Sequence, residues 1–351
     1  MKSLLSLYTS LLCMLSYFSL NAQTPHTITI IKSTIGSNRF VSTSERYSSE
    51  MFNSDRAYTD TVAGIPSGYV LRYDSVNKMQ FVVYVDNLYD ESLGYWVGVS
   101  KDHGDTWARY YTGIGDCYPY YIKYRAAIPL IKNDSTLEVE VAEVARLSKG
   151  AFSNDPGRFG LVTDNLIMQI NLYELTKDSD GDGLTDIEEE KSFTNPLSKD
   201  SDGDGVNDSQ DRNPRRQIRI NKYTALYKYL LNEKGICIDD SIVPFDGSKV
   251  NTNILSHGIA EFIIVTDDPG IAHVAVTNFT YLILSTKEWK LYKSKFISVP
   301  HRKSVTALKP VKGEKNQYTV DITENGGSGV RYTITEKKDH WVVKFNLLWS
   351  Y

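Results

Sequence analysis

The chain is 351 residues long, 41% of its residues are hydrophobic, and its formal net charge is −4. This length and apolar content suffice for the cores of two ordinary domains. A slightly acidic balance without a glycine-rich phosphate loop excludes nucleic acid as an expected partner. Tyrosine is abundant, at 24 residues, which favours β-rich domains because aromatic side chains suit strands.

Residues 1–22 have the pattern of a secretory signal peptide. Lys2 precedes a long apolar run, and Asn21 and Ala22 offer a cleavage site before Gln23. Serine, threonine and tyrosine interrupt the run, which argues against the alternative of a membrane anchor. No later segment has the length needed to cross a bilayer. We therefore expect a mature protein that has no transmembrane segment and is secreted, periplasmic or associated with the cell surface.

Residues 23–176 show the pattern of an antiparallel β-domain. The predicted strands, bounded by turn residues and rich in β-formers, are 27–31, 69–73, 81–86, 95–99, 137–141 and 166–172. No helix of convincing period precedes Thr176. The predicted architecture of this domain is therefore a β-sandwich.

A hairpin motif follows the fourth predicted strand. Its residues are Ser100, Asp102, Gly104, Thr106 and Trp107. At this spacing the aspartate can accept backbone N–H groups across a tight turn while the tryptophan packs beneath it. The motif resembles the Asp-box of sialidases and related propeller proteins, where it is structural and repeated. One copy is present here, in a domain too short for a propeller, so the resemblance implies a stabilised hairpin.

Aromatic residues crowd the stretch from Tyr110 to Tyr124, and Trp96 and Trp107 lie upstream. Exposed in one patch, they could stack on a glycan or anchor a protein ligand, and the domain would be a binding module. The alternative is that they fill a β-rich core and its rim. The sequence favours the core, because no feature of the pattern fixes their exposure.

The clearest chemistry lies in residues 177–214, an acidic segment with two copies of one calcium-loop pattern. In the first copy, oxygen donors fall at positions 1, 3, 5, 7, 9 and 12 of a twelve-residue loop. The predicted ligands are Asp178, Asp180, Asp182, the backbone carbonyl of Leu184, Asp186 and Glu189. Gly183 stands at position 6, where such a loop bends sharply.

The same frame begins again at Asp200. Its predicted ligands are Asp200, Asp202, Asp204, the backbone carbonyl of Val206, Asp208 and Asp211. The alternative is a solvated acidic linker, which does not account for two copies in register with glycine at the bend. Crowded carboxylates repel one another without metal, so we expect Ca²⁺ binding and ordering to be one event. Aspartate at position 12 is shorter than glutamate, so the second loop should close less firmly on its ion.

The flanks distinguish this segment from an EF-hand pair. Residues 171–177 are too few for a flanking helix, and Thr194, Asn195 and Pro196 end any helix after the first loop. A DSDGDG loop, a short acidic turn, TNP and a second DSDGDG loop together resemble tandem thrombospondin type 3 repeats of bacterial envelope proteins. The resemblance implies structural calcium sites in a rod-like spacer. The animal repeats carry bridging cysteines, and this segment has none.

Residues 215–351 predict an α+β domain with an antiparallel sheet. Helices are predicted at 223–233 and 287–296, and the first strands at 259–265 and 274–284. The chain then ends in a meander, with alternating residues at 318–322, 330–334 and 341–349. A basic run from Arg212 to Lys222 could bind an anionic group, but balancing the acidic loops beside it is the simpler interpretation.

No arrangement typical of catalysis stands out, so the sequence favours a protein that is not an enzyme. The six histidines are scattered, and Asp267 and Asp268 are the carboxylates that a hydrolase could use. Cys117 and Cys237 either form a disulfide or are separate buried thiols. We predict an exported calcium-binding protein, adhesive or otherwise binding, in which two loops rigidify the joint between two domains. A secreted, glycan-acting hydrolase with a calcium-stabilised linker is the alternative.

Overall fold

The computed structural model describes residues 25–34, 61–88, 91–115, 119–123, 128–148, 158–219, 223–231, 262–274, 281–295, 301–324, 328–337 and 341–350. The predicted signal peptide, Cys117 and Cys237 lie outside these ranges, so the corresponding predictions stay predictions. Within these ranges the protein is mainly β, with several antiparallel sheets, as predicted. No helix in the described ranges is both long and apolar enough to traverse a bilayer.

Strands dominate the chain before the acidic segment. They are β1 Ile28–Lys32, β2 Thr61–Val62, β3 Ile65–Pro66, β4 Val70–Val76, β5 Met79–Leu88, β6 Glu91–Ser100, β7 Ala108–Tyr111, β8 Tyr120–Ile122, β9 Ile131–Asn133, β10 Thr136–Ser148 and β11 Arg158–Asn171. Two short helices follow, α1 Leu172–Leu175 and α2 Asp186–Ser192. All six strands predicted for this region coincide with observed ones.

Helices and strands alternate in the remaining part. The helices are α3 Thr224–Leu231 and α4 Thr286–Lys295, and a 3-10 turn lies at Ile271–His273. The strands are β12 Phe262–Val265, β13 Tyr281–Leu284, β14 His301–Val305, β15 Lys309–Pro310, β16 Gln317–Glu324, β17 Ser328–Glu336 and β18 Trp341–Ser350. Both predicted helices are therefore present.

Two antiparallel sheets pack face to face in the amino-terminal part. One has the strand order β1-β11-β10-β8, with β9 also paired to β10, and the other has the order β4-β5-β6-β7. Alternate residues of β5, Phe81, Val83 and Val85, share one buried cluster with Val139 and Met168 of the facing sheet. Period-two alternation places these side chains on the inner faces. The two sheets thus form the layers of a sandwich.

The hairpin between β6 and β7 contains the hydrogen bonds that its motif predicts. Asp102 accepts bonds from the Ser100 hydroxyl at 2.8 Å, the Thr106 hydroxyl at 2.5 Å and the Thr106 N–H at 2.9 Å. Trp107 Nε1 donates to the Gly104 carbonyl at 3.0 Å. The bonds from Thr106, followed by the bond from Ser100, lower the pKa of Asp102 to about 2. This carboxylate serves to close the turn.

The carboxy-terminal part is built on a mixed sheet of order β13-β12-β14-β16-β17-β18, with β15 also paired to β16. Its last three strands form the predicted antiparallel meander, in which Tyr318 pairs with Ile334 and Ile334 with Val343. Strand β12 runs parallel to both β13 and β14, whereas the sequence pattern predicted an antiparallel sheet. Helix α4 connects β13 to β14 as a crossover that returns the chain in its original direction, so these two strands run the same way on either side of β12.

Each face of this mixed sheet is covered by a helix. Leu226 of α3 is buried in one cluster with Ile264 of β12. Trp289 of α4 is buried in another cluster with Ile263 of the same strand. Neighbouring residues of a strand point to opposite faces, so the apolar run of β12 is buried on both sides.

Candidate metal centre

The first acidic loop is bent into shape by its own carboxylates. Asp178 accepts hydrogen bonds from the N–H groups of Gly181 at 2.6 Å and Gly183 at 3.0 Å. Asp180 accepts from the N–H of Asp182 at 3.0 Å. Gly183 has a φ of 107°, which residues with a Cβ rarely adopt. These bonds draw the backbone round the side chains at positions 1 and 3.

The second loop repeats the same bonds. Asp200 accepts from the N–H groups of Gly203 and Gly205, both at 2.7 Å. Asp202 accepts from the N–H of Asp204 at 3.0 Å, and Gly205 has a φ of 95°. Because two separate loops share this geometry, the repeated spacing of aspartate and glycine determines the loop shape.

Each loop brings three predicted ligands together. One carboxylate oxygen from each residue of a triplet lies within 4.8 Å of the oxygens offered by the other two. The triplets are Asp178, Asp180 and Asp182, and Asp200, Asp202 and Asp204. At this spacing one ion could bind oxygens from all three side chains of a triplet. The other predicted ligands, whose coordination stays a prediction, are Leu184, Asp186, Glu189, Val206, Asp208 and Asp211.

Positions 3 and 12 of both loops carry buried oxygens that the protein does not pair. Within the described part of the chain no hydrogen bond reaches Asp180 Oδ2, Glu189 Oε2, Asp202 Oδ2 or Asp211 Oδ2. Glu189 is 0% exposed and Asp211 is 4% exposed. An unpaired carboxylate oxygen is costly in a buried position unless a cation satisfies it. The residues present therefore fit a bound cation in each loop.

Burial and mutual repulsion raise the pKa values of several of these acids. Burial, followed by the charges of Asp180 and Asp182, raises the pKa of Glu189 to about 8. Burial, followed by the charge of Asp204, raises the pKa of Asp202 to about 6. A divalent cation favours the ionised carboxylates, so it would remove the unfavourable energy of gathering these charges.

This electrostatic strain predicts a pH dependence that calcium should remove. The pKa of Glu189 rises from 4.5 to about 8 on folding, so the folded, metal-free protein should lose stability as pH rises through this range. Calcium binds the ionised form and displaces the proton, so in saturating calcium the stability should stay nearly constant over the same range. Chemical unfolding at several pH values, with calcium and with chelator, measures both slopes. Glu189→Gln should flatten the slope in chelator, whereas equal slopes in calcium and in chelator for the parent protein would contradict the assignment.

The acids at position 9 are hydrogen-bonded to the start of their own loops. Asp186 accepts the N–H and the hydroxyl of Ser179 at 2.8 and 2.9 Å, and it pairs with Lys177 at 2.9 Å. Asp208 accepts the equivalent two bonds from Ser201 at 2.9 and 2.6 Å. Acids at this position often reach the ion through a water molecule. The serine repeated after the first aspartate of each loop is the sequence signal for these bonds.

Sequence reasoning missed the residues that join the two loops. Ser209 of the second loop donates from its N–H to Asp182 Oδ2 at 3.0 Å and from its hydroxyl to the Asp182 carbonyl at 2.7 Å. Lys199 Nζ donates to the carbonyl of Gly181 at 2.9 Å. The two loops therefore lie side by side. Nothing in the spacing of the acids predicts this contact.

Helix α2 attaches the first loop to the amino-terminal sandwich. Thr185 and Glu188 form a capping box at its beginning, in which each side chain binds the backbone N–H of the other residue. Ile187 is buried in a cluster with Tyr111 of β7. Lys191 is 1% exposed, and its Nζ lies 4.0 Å from the centroid of the Tyr111 ring. The same helix carries the position-12 acid of the first loop.

The end of α2 and the chain beyond the second loop contact the carboxy-terminal part. Phe193, with a left-handed φ of 57°, packs edge-on against Tyr292 with 5.4 Å between ring centroids. Arg215 donates to the Phe193 carbonyl at 3.1 Å and pairs with Glu288 at 2.6 Å. This arginine of the basic run therefore holds the segment onto the domain.

The other functional candidates from the sequence have structural partners. Trp96 and Tyr111 are 1% and 2% exposed, as expected of core residues rather than of a ligand-binding patch. Asp267 accepts the N–H and the hydroxyl of Thr286 at 2.9 and 2.7 Å. Asp268 accepts the backbone N–H bonds that begin the 3-10 turn. Asp267 therefore binds the beginning of α4, and Asp268 stabilises the 3-10 turn.

The chain matches no family model, no curated protein and no solved structure. Its class is defined by its own geometry, which is that of a mainly β protein with two aspartate triplets that could each hold a metal ion. Both triplets lie in the short segment between the sandwich and the mixed sheet.

Proposed function

We propose that this protein is an exported calcium-binding protein in which two loops rigidify the joint between two domains. The domains are residues 23–176 and 215–351, and the joint is the segment 177–214. The observation that carries the proposal is the buried carboxylate oxygen at positions 3 and 12 of both loops, which no described residue pairs. The resemblance of the segment to thrombospondin type 3 repeats supports the same function.

Calcium is the ion that this set of donors suits best. The predicted side-chain ligands are all carboxylates, and the segment contains no histidine or cysteine, which argues against zinc or copper. Magnesium requires a compact octahedron and retains several waters, whereas a loop with six donor positions suits the larger shell of Ca²⁺. Loops in proteins outside the cell can bind calcium with a Kd as weak as about 10⁻⁴ to 10⁻³ M.

Metal binding would act on the joint through helix α2. Glu189 of this helix belongs to the first loop, while Ile187 and Lys191 are buried against the sandwich. Phe193, at the end of the helix, contacts the carboxy-terminal part. Filling the first loop would therefore fix a helix that both parts contact. Without metal, repulsion among the carboxylates opposes this arrangement.

A binding or adhesive role at the cell envelope or outside the cell fits this joint. The leader pattern of residues 1–22 supports export. The alternative hydrolase would need polar groups that converge in a pocket. Its candidate acids have structural partners instead, because Asp267 binds the first residue of α4 and Asp268 binds N–H groups of the 3-10 turn, which favours the binding protein.

Calorimetric titration of the mature protein with CaCl₂ tests the calcium proposal. We expect two bound ions for each chain, because each loop has its own complete set of donors. Terbium luminescence that calcium displaces should give the same number of sites. Magnesium is the matched control, and we expect it to bind more weakly. A titration with neither heat nor terbium luminescence would overturn the proposal.

A further inference from the structure

The second loop leads directly into a contact with the carboxy-terminal part. Asp211, at position 12, accepts the N–H of Asn213 on Oδ1 at 2.9 Å. Asn213 is 1% exposed, and its Nδ2 donates to the carbonyl of Ala272 at 3.0 Å. Two hydrogen bonds therefore connect the last predicted ligand of the second loop to the 3-10 turn Ile271–His273.

The chain beyond Asn213 continues along the same turn. The N–H of Arg219 donates to the His273 carbonyl at 3.0 Å, and His273 Nδ1 lies 2.9 Å from the Gln217 carbonyl. Ala272 and His273 belong to the carboxy-terminal part, and Gln217 and Arg219 lie at its beginning. Residues 213–219 thus form a docking strip whose first residue is held by a loop carboxylate.

The second oxygen of Asp211 is available for the ion. Asp211 Oδ2 is buried and receives no hydrogen bond from the described residues. Asp211 is at position 12, where loops of this kind supply their closing ligand. Its carboxylate therefore binds the docking strip through Oδ1, while Oδ2 is left for the predicted ion. Without a cation, repulsion from the neighbouring aspartates would push this side chain out of the loop.

We propose that the second calcium ion controls the docking of the carboxy-terminal domain through Asp211 and Asn213, whereas the first ion holds the amino-terminal domain through α2. This inference rests on the proposed calcium function. Asn213 is a positioning residue, because its side chain contacts Ala272 and not the loop. Phe193 also contacts the carboxy-terminal part. Loss of the first ion therefore weakens the contacts of α2 and Phe193 with both terminal parts, whereas loss of the second ion weakens the contact of Asn213 with Ala272.

The two loops differ in a way that should make them lose their ions at different calcium concentrations. Leu184 at position 7 of the first loop is 2% exposed, whereas Val206 at the equivalent position is 40% exposed. The second loop also closes with the shorter acid. Its ion should therefore leave first as calcium falls, which weakens the contact of Asn213 with the carboxy-terminal part while the amino-terminal contact persists.

Hydrogen–deuterium exchange on the full mature chain, at calcium that saturates the first loop, tests this division. Asp211→Asn keeps an acceptor for the Asn213 N–H but offers the ion no charge. We expect this variant to bind one ion and residues 271–274 to exchange about tenfold faster, while α2 retains its protection. Loss of protection in both regions, or parental protection with two bound ions, would overturn the inference.

Asn213→Ala separates docking from metal binding. We expect this variant to bind two ions with parental affinity, yet to show the same acceleration of exchange at residues 271–274. Asn195→Ala, the same substitution at an exposed position of the segment, is the matched control and should exchange there as the parent does. If Asn213→Ala exchanged at residues 271–274 as slowly as the parent, only the proposed division of roles between the two ions would be refuted. A parent chain that binds no calcium would instead refute the proposed function as well.

Discussion

Replacing Asp180 and Asp202 together by alanine should leave both terminal domains folded but open residues 177–214 to protease. Each substitution removes a buried oxygen at position 3 that receives no hydrogen bond from the described residues. Calcium at one hundred times its Kd stabilises a single site by about 2.7 kcal/mol. The double variant should therefore lose about 5 kcal/mol of calcium-dependent stabilisation.

Limited proteolysis with calcium and with chelator measures this effect, and unfolding at matched calcium concentrations gives its size. Asp134→Ala, in the exposed turn between β9 and β10, removes one carboxylate outside the loops and should behave as the parent does. A parent chain that resists protease equally in calcium and in chelator would show that the ions do not order the joint.

Ile187→Ala should destabilise the folded protein by about 2–5 kcal/mol without removing a metal ligand. The Ile187 side chain is 4% exposed and is buried in a cluster with Trp96 and Tyr111 of the sandwich. Truncation leaves a cavity between α2 and the sheet, because the helix is held at both ends and cannot collapse into the space. We therefore expect the joint to loosen from the amino-terminal side.

Denaturant unfolding in saturating calcium measures the loss, and calorimetry checks that two ions still bind. Leu197→Ala is the matched control, because Leu197 is 79% exposed in the chain between the two loops. Its truncation should change the free energy of unfolding by about 0.5 kcal/mol or less. If both variants lost a similar free energy of unfolding, Ile187 would not contribute to the packing of α2 against the sandwich.

Side-by-side loops have a mechanical consequence for the joint. Ser209 binds Asp182 through two hydrogen bonds, so the second loop braces the first. Residues 177–214 also contact both terminal parts, through Ile187 on one side and Phe193 on the other. In the proposed function, ordering of this segment would therefore fix an angle between the two domains as well as a distance.

Local patterns predicted the features that depend on local chemistry. Alternation along β5 predicted that strand. The spacing of Ser100, Asp102 and Thr106 predicted the bonds of the hairpin between β6 and β7. Aspartate and glycine at fixed intervals likewise predicted two loops whose carboxylates converge. The parallel pairing of β12 escaped prediction, because an apolar strand of four residues does not indicate the direction of its neighbours.

The sequence by itself determined the strands of the sandwich, the Asp102 turn and the shape of both acidic loops, because each depends on contacts between residues close in the chain. Only the tertiary structure decided that Ser209 braces Asp182, that Ile187 faces Tyr111 and that Asn213 reaches Ala272. Such contacts join residues far apart in sequence. Their geometry follows from how whole sheets and helices pack, which no spacing of residue types encodes.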